Sequence, residues 1–304
     1  MLKYFVSSMG LKIFSCCTKT KNIYRVIGNT FGTRKRIKGK MPHYYIDRMN
    51  YILRLSNEYD AVKDGDRIIE LGTGWLHWEA ITSRLFFDVQ TVLFDIWDNR
   101  NLDSLKNYMK QLSKQMVCVE VDDYRRDKAQ AIIRDILTVE SFEELYDMLE
   151  CEYVVNKTGK LDNFEDEIFD VVVSASVLEH INIDLLPSFV CNLSRLLKPG
   201  GYSIHTIDLQ DHLYYYDTSA SPKQYLAFSD SVWNRWFKNE VQYFNRVQPI
   251  EWHEAFKNAN LNLVEEVRKK INLDGLTINN KYVHFGRNDL ECATLQLVHQ
   301  KPVA

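Results

Sequence analysis

"DRIIELGTGWLHWE", Asp66 to Glu79, sets a short apolar run and an acid directly before two glycines spaced by one residue. Ile68, Ile69 and Leu71 read as a buried strand, and Gly72 and Gly74 let the chain turn sharply and bring backbone against a ligand. A nucleotide is the first ligand such a loop suggests. The dinucleotide fingerprint G-x-G-x-x-G needs a third glycine where His77 stands, so NAD or FAD, and with them a nicotinamide dehydrogenase, are disfavoured. An ordinary strand-to-helix turn fits the same residues, and the surroundings must decide.

Upstream, Tyr45, Met49, Ile52 and Leu53 recur at helical spacing within Tyr44–Tyr59. Downstream, a helix from about Leu76 to Phe87 leads into "VQTVLFD", a second strand ending in Asp95, 25 residues beyond Glu70. An acid at that place in a βαβ unit is where ribose hydroxyls are commonly bound. From Asn101 to Val155 the patterns are helical and longer than a crossover needs, which predicts a helical insertion at about 101–155 containing or preceding a third strand. "FDVVVSASVLEHI" opens with a solid β-branched run, as expected of a parallel strand covered on both faces. A helix over Pro187–Leu197 stops at "LKPGG", which starts a fifth strand, "YSIHTID". Two more strands are expected at about Leu261–Val267 and Ala293–His299, with no internal repeat.

The 304 residues are 45% hydrophobic and 26% charged, the composition of a globular chain, and no run of 18 apolar residues suggests a membrane span. Six cysteines show no metal-type or disulfide spacing, so reduced thiols in a cytoplasmic protein are expected. The net charge of −3 hides an asymmetry: residues 1–40 hold ten Lys or Arg and no acid, leaving 28 basic against 41 acidic residues in the remainder. Residues 1–40 therefore read as a basic N-terminal extension before a domain over 41–304. With Phe5, Val6, Leu11, Ile13 and Phe14 among its cations, the extension suits peripheral contact with the inner membrane face, or else is a solvated basic segment or packs on its own fold or on a second subunit. The acidic body argues against a nucleic-acid footprint.

With these pieces in order, the chain resembles the class I S-adenosylmethionine-dependent methyltransferases. The resemblance rests on "IIELGTGW", "VLFD", "FDVVVSASVLEHI" and "LSRLLKPGGYSIHTI", over roughly 140 residues. It implies a Rossmann-like α/β fold, a seven-stranded mostly parallel sheet with an antiparallel last strand, and S-adenosylmethionine as cofactor. Carried over residue by residue, Glu70 and the backbone of Gly72, Thr73 and Gly74 would surround the methionine moiety. Asp95 would accept from both ribose hydroxyls, and Ile96, with Val155 or Asn156, would border adenine. Ser174 and Ser176 follow the fourth strand, at the carboxyl edge where open α/β sheets hold ligands.

For the acceptor, "SASV" replaces the Asp/Asn-Pro-Pro-aromatic motif of base-amine methyltransferases. "LEHI" resembles part of the Glu-x-x-Glu-His metal motif of some ubiquinone-pathway O-methyltransferases, but Ser176 replaces the first Glu, so no metal is expected. Glu179 and His180 then read as residues anchoring a helix start. The segment "DLQDHLYYYDTSASPKQYLAFSDSVWNRWFKNEVQYFNR" falls where the family builds its substrate lid, here about 208–252. Its aromatics beside short polar groups suit a sugar, a glycan or another small hydroxylated acceptor, or else simply form a packed cap. The segment also resembles uncharacterised methyltransferases associated with surface polysaccharide assembly. His212 is the candidate base, with Asp208 and Asp211 close enough in sequence to orient it. A non-catalytic methyltransferase-like binding module is the competing reading, and the oligomeric state is not legible.

Overall fold

The computed structural model describes residues 1–303. Helices α1 (Leu2–Phe14), α2 (Thr18–Lys38) and α3 (Tyr44–Tyr59) precede β1 (Arg67–Leu71), α4 (Trp78–Phe86) and β2 (Gln90–Asp95). The stretch expected as a helical insertion holds α5 (Leu102–Gln115), α6 (Asp123–Thr138) and α7 (Phe142–Leu149) before β3 (Cys151–Val155). Then come β4 (Phe169–Ala175), α8 (Leu186–Leu196), β5 (Leu197–Asp208), α9 (Asp230–Trp236), α10 (Pro249–Asn258), β6 (Asn262–Lys270), α11 (Arg287–Leu290) and β7 (Cys292–Gln300). The strands form one sheet in the order β3-β2-β1-β4-β5-β7-β6, mostly parallel with the last strand antiparallel, as the resemblance implied.

The chain divides into two compact units. The first in sequence weight, Asn29–Ser174 with Asn192–Ile204 and residues from Gln300 onward, contains β1 to β4. Parallel register aligns Ile69 with Val92 and with Val172, so three apolar strands stack their side chains into one core. The insertion folds as separate helices because each starts on its own side-chain cap. Asn101 Oδ1 accepts from Ser104 N at 2.8 Å, Asp122 Oδ1 from Arg125 N at 2.8 Å, and Ser141 Oγ from Glu144 N at 3.1 Å. β5 starts at Leu197, five residues before the expected Tyr202, because "KPGG" is itself paired. Gly200 N donates to Lys301 O, and Lys301 N to Gly201 O, each at 2.9 Å. A Cβ on Gly201 would stand 2.8 Å from the Asp170 carbonyl oxygen, so a larger residue would push β4 away.

The second unit, Met1–Gly28 with Ala175–Cys191 and His205–His299, is built around an aromatic cluster. Tyr225, Trp233, Phe237 and Phe244 of the expected lid are buried in it, together with Tyr4 and Leu11 of α1. Tyr215, Tyr216 and Trp236 of the same segment stay exposed. Of the basic extension expected over residues 1–40, α1 buries Tyr4, Ser8 and Leu11 in this unit. Tyr4 Oη donates to the buried Asp211 Oδ2 at 2.6 Å, Ser8 Oγ to Trp236 O at 2.6 Å, and Lys12 Nζ to Arg235 O at 2.8 Å. The physical reason is the placement of Tyr4, Ser8 and Leu11 on one face of α1, where two apolar groups and a hydroxyl reach the cluster together. All six cysteines are free thiols, and no described helix is long and apolar enough to cross a membrane.

Tyr4→Phe should lower stability by about 1–3 kcal/mol, because it strands a buried carboxyl oxygen on Asp211. Thermal or denaturant unfolding measures this, and an unchanged midpoint would show that α1 does not close this core.

Candidate active site

In the first unit the glycine loop is tied to the end of β2 by one carboxylate. Asp95 Oδ2 accepts from Gly74 N at 2.8 Å, and its Oδ1 accepts from Ile96 N at 2.7 Å and Trp97 N at 3.1 Å. Burial raises the Asp95 pKa, and these three N–H groups oppose that shift. An ionised carboxylate accepts about four hydrogen bonds, so acceptor capacity remains for a ligand hydroxyl. Gly72 and Gly74 sit at φ +63° and +60°, left-handed geometry that favours glycine and leaves the loop without side chains over its backbone.

Asn156 joins the same corner, since its N–H donates to Asp95 O at 2.9 Å. Its side chain is spent locally: Nδ2 donates to Lys160 O, and Oδ1 accepts from Thr158 N and Oγ1. The turn it closes carries Gly159, whose position for a Cβ is 3.4 Å from Ile96 Cγ2. Ile96 and Trp97 remain 41% and 37% exposed, apolar surface suited to a planar ring. Glu70 is buried and accepts from Ala80 N at 2.9 Å, so its carboxylate anchors the start of α4. Burial, then the adjacent Glu79, raises its pKa well above the usual range, while Arg48 forms a forked pair with Glu79. Ser174 is buried at the end of β4, in register with Leu71.

His77, at the third-glycine position, adopts φ +50° itself. Thr73 Oγ1 lies 2.7 Å from its Nδ1 and Tyr146 Oη 2.9 Å from its Nε2, and burial pulls its pKa down to about 3. It is therefore a neutral imidazole that holds the loop from behind, with Phe142, Tyr146 and Tyr153 packed around it. Sequence spacing showed only a missing glycine here. The long-range partner on α7 was invisible.

The second unit carries Ser176 and the expected catalytic residues. Ser176 is exposed at φ +56°, and its N–H donates to Thr206 O at 2.8 Å. His212 is buried, with Nδ1 lacking any hydrogen-bond partner among the described residues. Burial, then His180, lowers its pKa to about 4, so it is neutral at physiological pH. The expected orienting acids are engaged elsewhere. Asp208 Oδ2 accepts from Tyr215 Oη at 2.7 Å. Asp211, its pKa pushed up to about 7 by burial, holds Tyr4 Oη and Leu213 N. Neither hydrogen-bonds His212, because sequence neighbours in a tight turn point apart.

The true neighbours of His212 are Glu179 and His180, 33 and 32 positions earlier. The rings of His180 and His212 are 5.1 Å apart, and donor atoms of all three residues lie within 4.8 Å of one another. His180 Nδ1 donates to Tyr243 O at 2.6 Å, which leaves Nε2 as an acceptor. Both Glu179 carboxylate oxygens are buried without a hydrogen-bond partner among the described residues, and burial raises its pKa well above the usual range. These three residues could hold a divalent cation, although "LEHI" lacks the first Glu of the metal motif.

A family model described as a methyltransferase domain matches residues 38–266, and the chain belongs to this methyltransferase family. It is an S-adenosylmethionine-dependent methyltransferase. No curated protein matches it. Among solved structures it is similar to Haemonchus contortus phosphoethanolamine N-methyltransferase 2 bound to S-adenosylmethionine, at 15% identity and TM-score 0.46, covering 83% of this chain and 52% of that one. A SAM-dependent methyltransferase from Methanosarcina mazei aligns at 11% identity and TM-score 0.45, over 81% and 97%. The [4+2]-cyclase SpnF aligns at 12% identity and TM-score 0.46, over 84% and 81%.

Asp95→Ala should weaken S-adenosylmethionine binding by about 2–4 kcal/mol, because a charged acceptor and the tether of the glycine loop go together. Calorimetry on the folded variant measures it, and wild-type affinity would remove Asp95 from the site.

Proposed function

We propose that this methyltransferase transfers the methyl group to a hydroxyl of a sugar, a glycan or another small hydroxylated acceptor. Bound S-adenosylmethionine supplies an electrophilic methyl group on a sulfonium. Gly72, Gly74, Asp95 and Ile96 fit it, since they present bare backbone, an acceptor with spare capacity and apolar surface at one corner, and Asn156 braces that corner through its N–H bond to Asp95 O. The single observation that carries the acceptor reading is His212, a buried neutral imidazole with an unused nitrogen.

An attacking hydroxyl must lose its proton as the new bond forms, and a neutral imidazole takes it without first releasing one of its own. His180 and Glu179 bracket the ring and fix its surroundings. Aromatic and polar groups in the same unit support a sugar-like acceptor: a cleft of about 350 Å³ is lined by Trp233, Tyr243, Phe244, Asp230, Arg246 and Glu251. Phe244 also packs on His212, with ring centroids 4.7 Å apart. Apolar ring faces beside charged groups match a molecule that offers C–H faces and hydroxyls together.

A metal-assisted variant is favoured by the clustering of Glu179, His180 and His212, and chelation separates the two. Turnover that survives a chelator supports the base. Loss restored by a divalent ion supports the variant.

His212→Ala should keep nearly normal S-adenosylmethionine affinity while turnover on a hydroxylated acceptor falls about 10²–10⁴-fold. A fully active variant would reject the role. The sign of the pH dependence follows from the lowered pKa: the base works when neutral, so turnover should rise with pH through about 4 and be level near neutrality. An acid limb centred above pH 6 would assign the proton transfer to another group.

A further inference from the structure

Helix α2 is built inside out. A surface helix normally turns its apolar stripe to the fold and its charges to water. At ~100° per residue, Ile23, Val26, Ile27, Thr30, Phe31 and Arg34 share one face of α2. That face is the one in solvent, with Ile23, Ile27 and Phe31 exposed by 53%, 43% and 66%. Tyr24, on the flank beside Phe31, packs on Phe14 with ring centroids 5.4 Å apart, and the polar opposite face makes further contacts. Tyr24 Oη lies 3.0 Å from Tyr216 Oη and accepts from Gln242 Nε2 at 2.8 Å. Asn29 Nδ2 donates to Asn99 Oδ1, and the Arg36 guanidinium lies 4.1 Å from the Trp75 ring centroid. No residue of α2 is buried. Its neighbour α1 buries Tyr4, Ser8 and Leu11 yet leaves Leu2, Val6 and Ile13 well exposed.

We propose that α1 and α2 dock this chain on an anionic lipid bilayer, lying in the plane of its surface. Exposed apolar side chains at helical spacing, interleaved with cations, supply the two contributions that hold a segment there: burial among acyl chains and attraction to anionic headgroups. Lys19, Arg34 and Lys38 lie on or beside the apolar face, and none makes an ion pair among the described residues. The charge pattern selects this occupant. Residues 1–40 carry ten cations and no acid, against a net −13 on the remainder, so an anionic surface attracts this face and repels the body. A second copy of the chain would instead oppose cations to cations. Because no described helix can cross a membrane, the contact is with its surface.

Co-sedimentation of the full chain with vesicles tests this. Vesicles of phosphatidylcholine with about 40% phosphatidylglycerol should bind it at low salt, and pure phosphatidylcholine should bind it far less. Salt at about 0.5 M should release most of it by screening. The exposed double variant I27E/F31E should lower partitioning at least about tenfold, with S-adenosylmethionine affinity and thermal midpoint unchanged. The proposal fails if the wild-type chain ignores anionic vesicles, or if I27E/F31E binds them as well. A wild-type dimer that I27E/F31E dissociates, without vesicle binding, would assign the face to a second copy.

Discussion

The corner formed by the glycine loop and the ends of β2 and β3 depends on one carboxylate. Asp95 is the last residue of β2, and a strand end leaves backbone N–H groups unmatched unless something accepts from them. By taking N–H bonds from Gly74, Ile96 and Trp97, it closes the loop after β1 against the loop after β2. Its own carbonyl then accepts Asn156 N from the segment after β3, so three successive strand ends are joined at one residue. The arrangement is costly, since burial works against ionisation. Three charge-assisted hydrogen bonds offset that, which is why an acid rather than an amide suits the position.

The same economy of position governs His77. A strand-to-helix turn needs a left-handed residue there, and glycine is the unstrained answer. This chain places an imidazole instead, held at both ring nitrogens by Thr73 and Tyr146. The helical insertion therefore supports the glycine loop: α7 supplies Phe142, which packs on the ring, and Tyr146, without which Nε2 of a buried histidine would be unsatisfied.

In the second unit the polar groups are sorted by burial. Asp211 satisfies its oxygens with Tyr4 and Leu213, and Lys223 donates to Cys292 O at 2.8 Å and to Gln248 Oε1 at 3.3 Å, its pKa brought down to about 7 by burial. Among the described residues, Glu179 and His212 combine deep burial with unused side-chain acceptors close together. The sequence pointed to His212 but paired it with Asp208 and Asp211, which proximity along the chain made the obvious partners.

What the sequence by itself determined is the sheet and the glycine-loop corner proposed for the cofactor. β1, β2 and β4 are short parallel strands covered on both faces, so they appear as unbroken apolar runs, and Gly72, Gly74 and Asp95 mark their ends by residue type alone. The extra strand residues from Leu197 to Gly201 were hidden, because their partner is Lys301, a hundred positions away. Only the tertiary structure decided that Tyr4 and Leu11 belong to the aromatic core, that Glu179 and His180 meet His212, and that α2 turns its apolar face outward. Each depends on which side of an element meets a distant one. Composition and periodicity report how often apolar and polar residues recur, and they carry no sign for direction: the stripe of α2 would read the same whether it faced the fold or water.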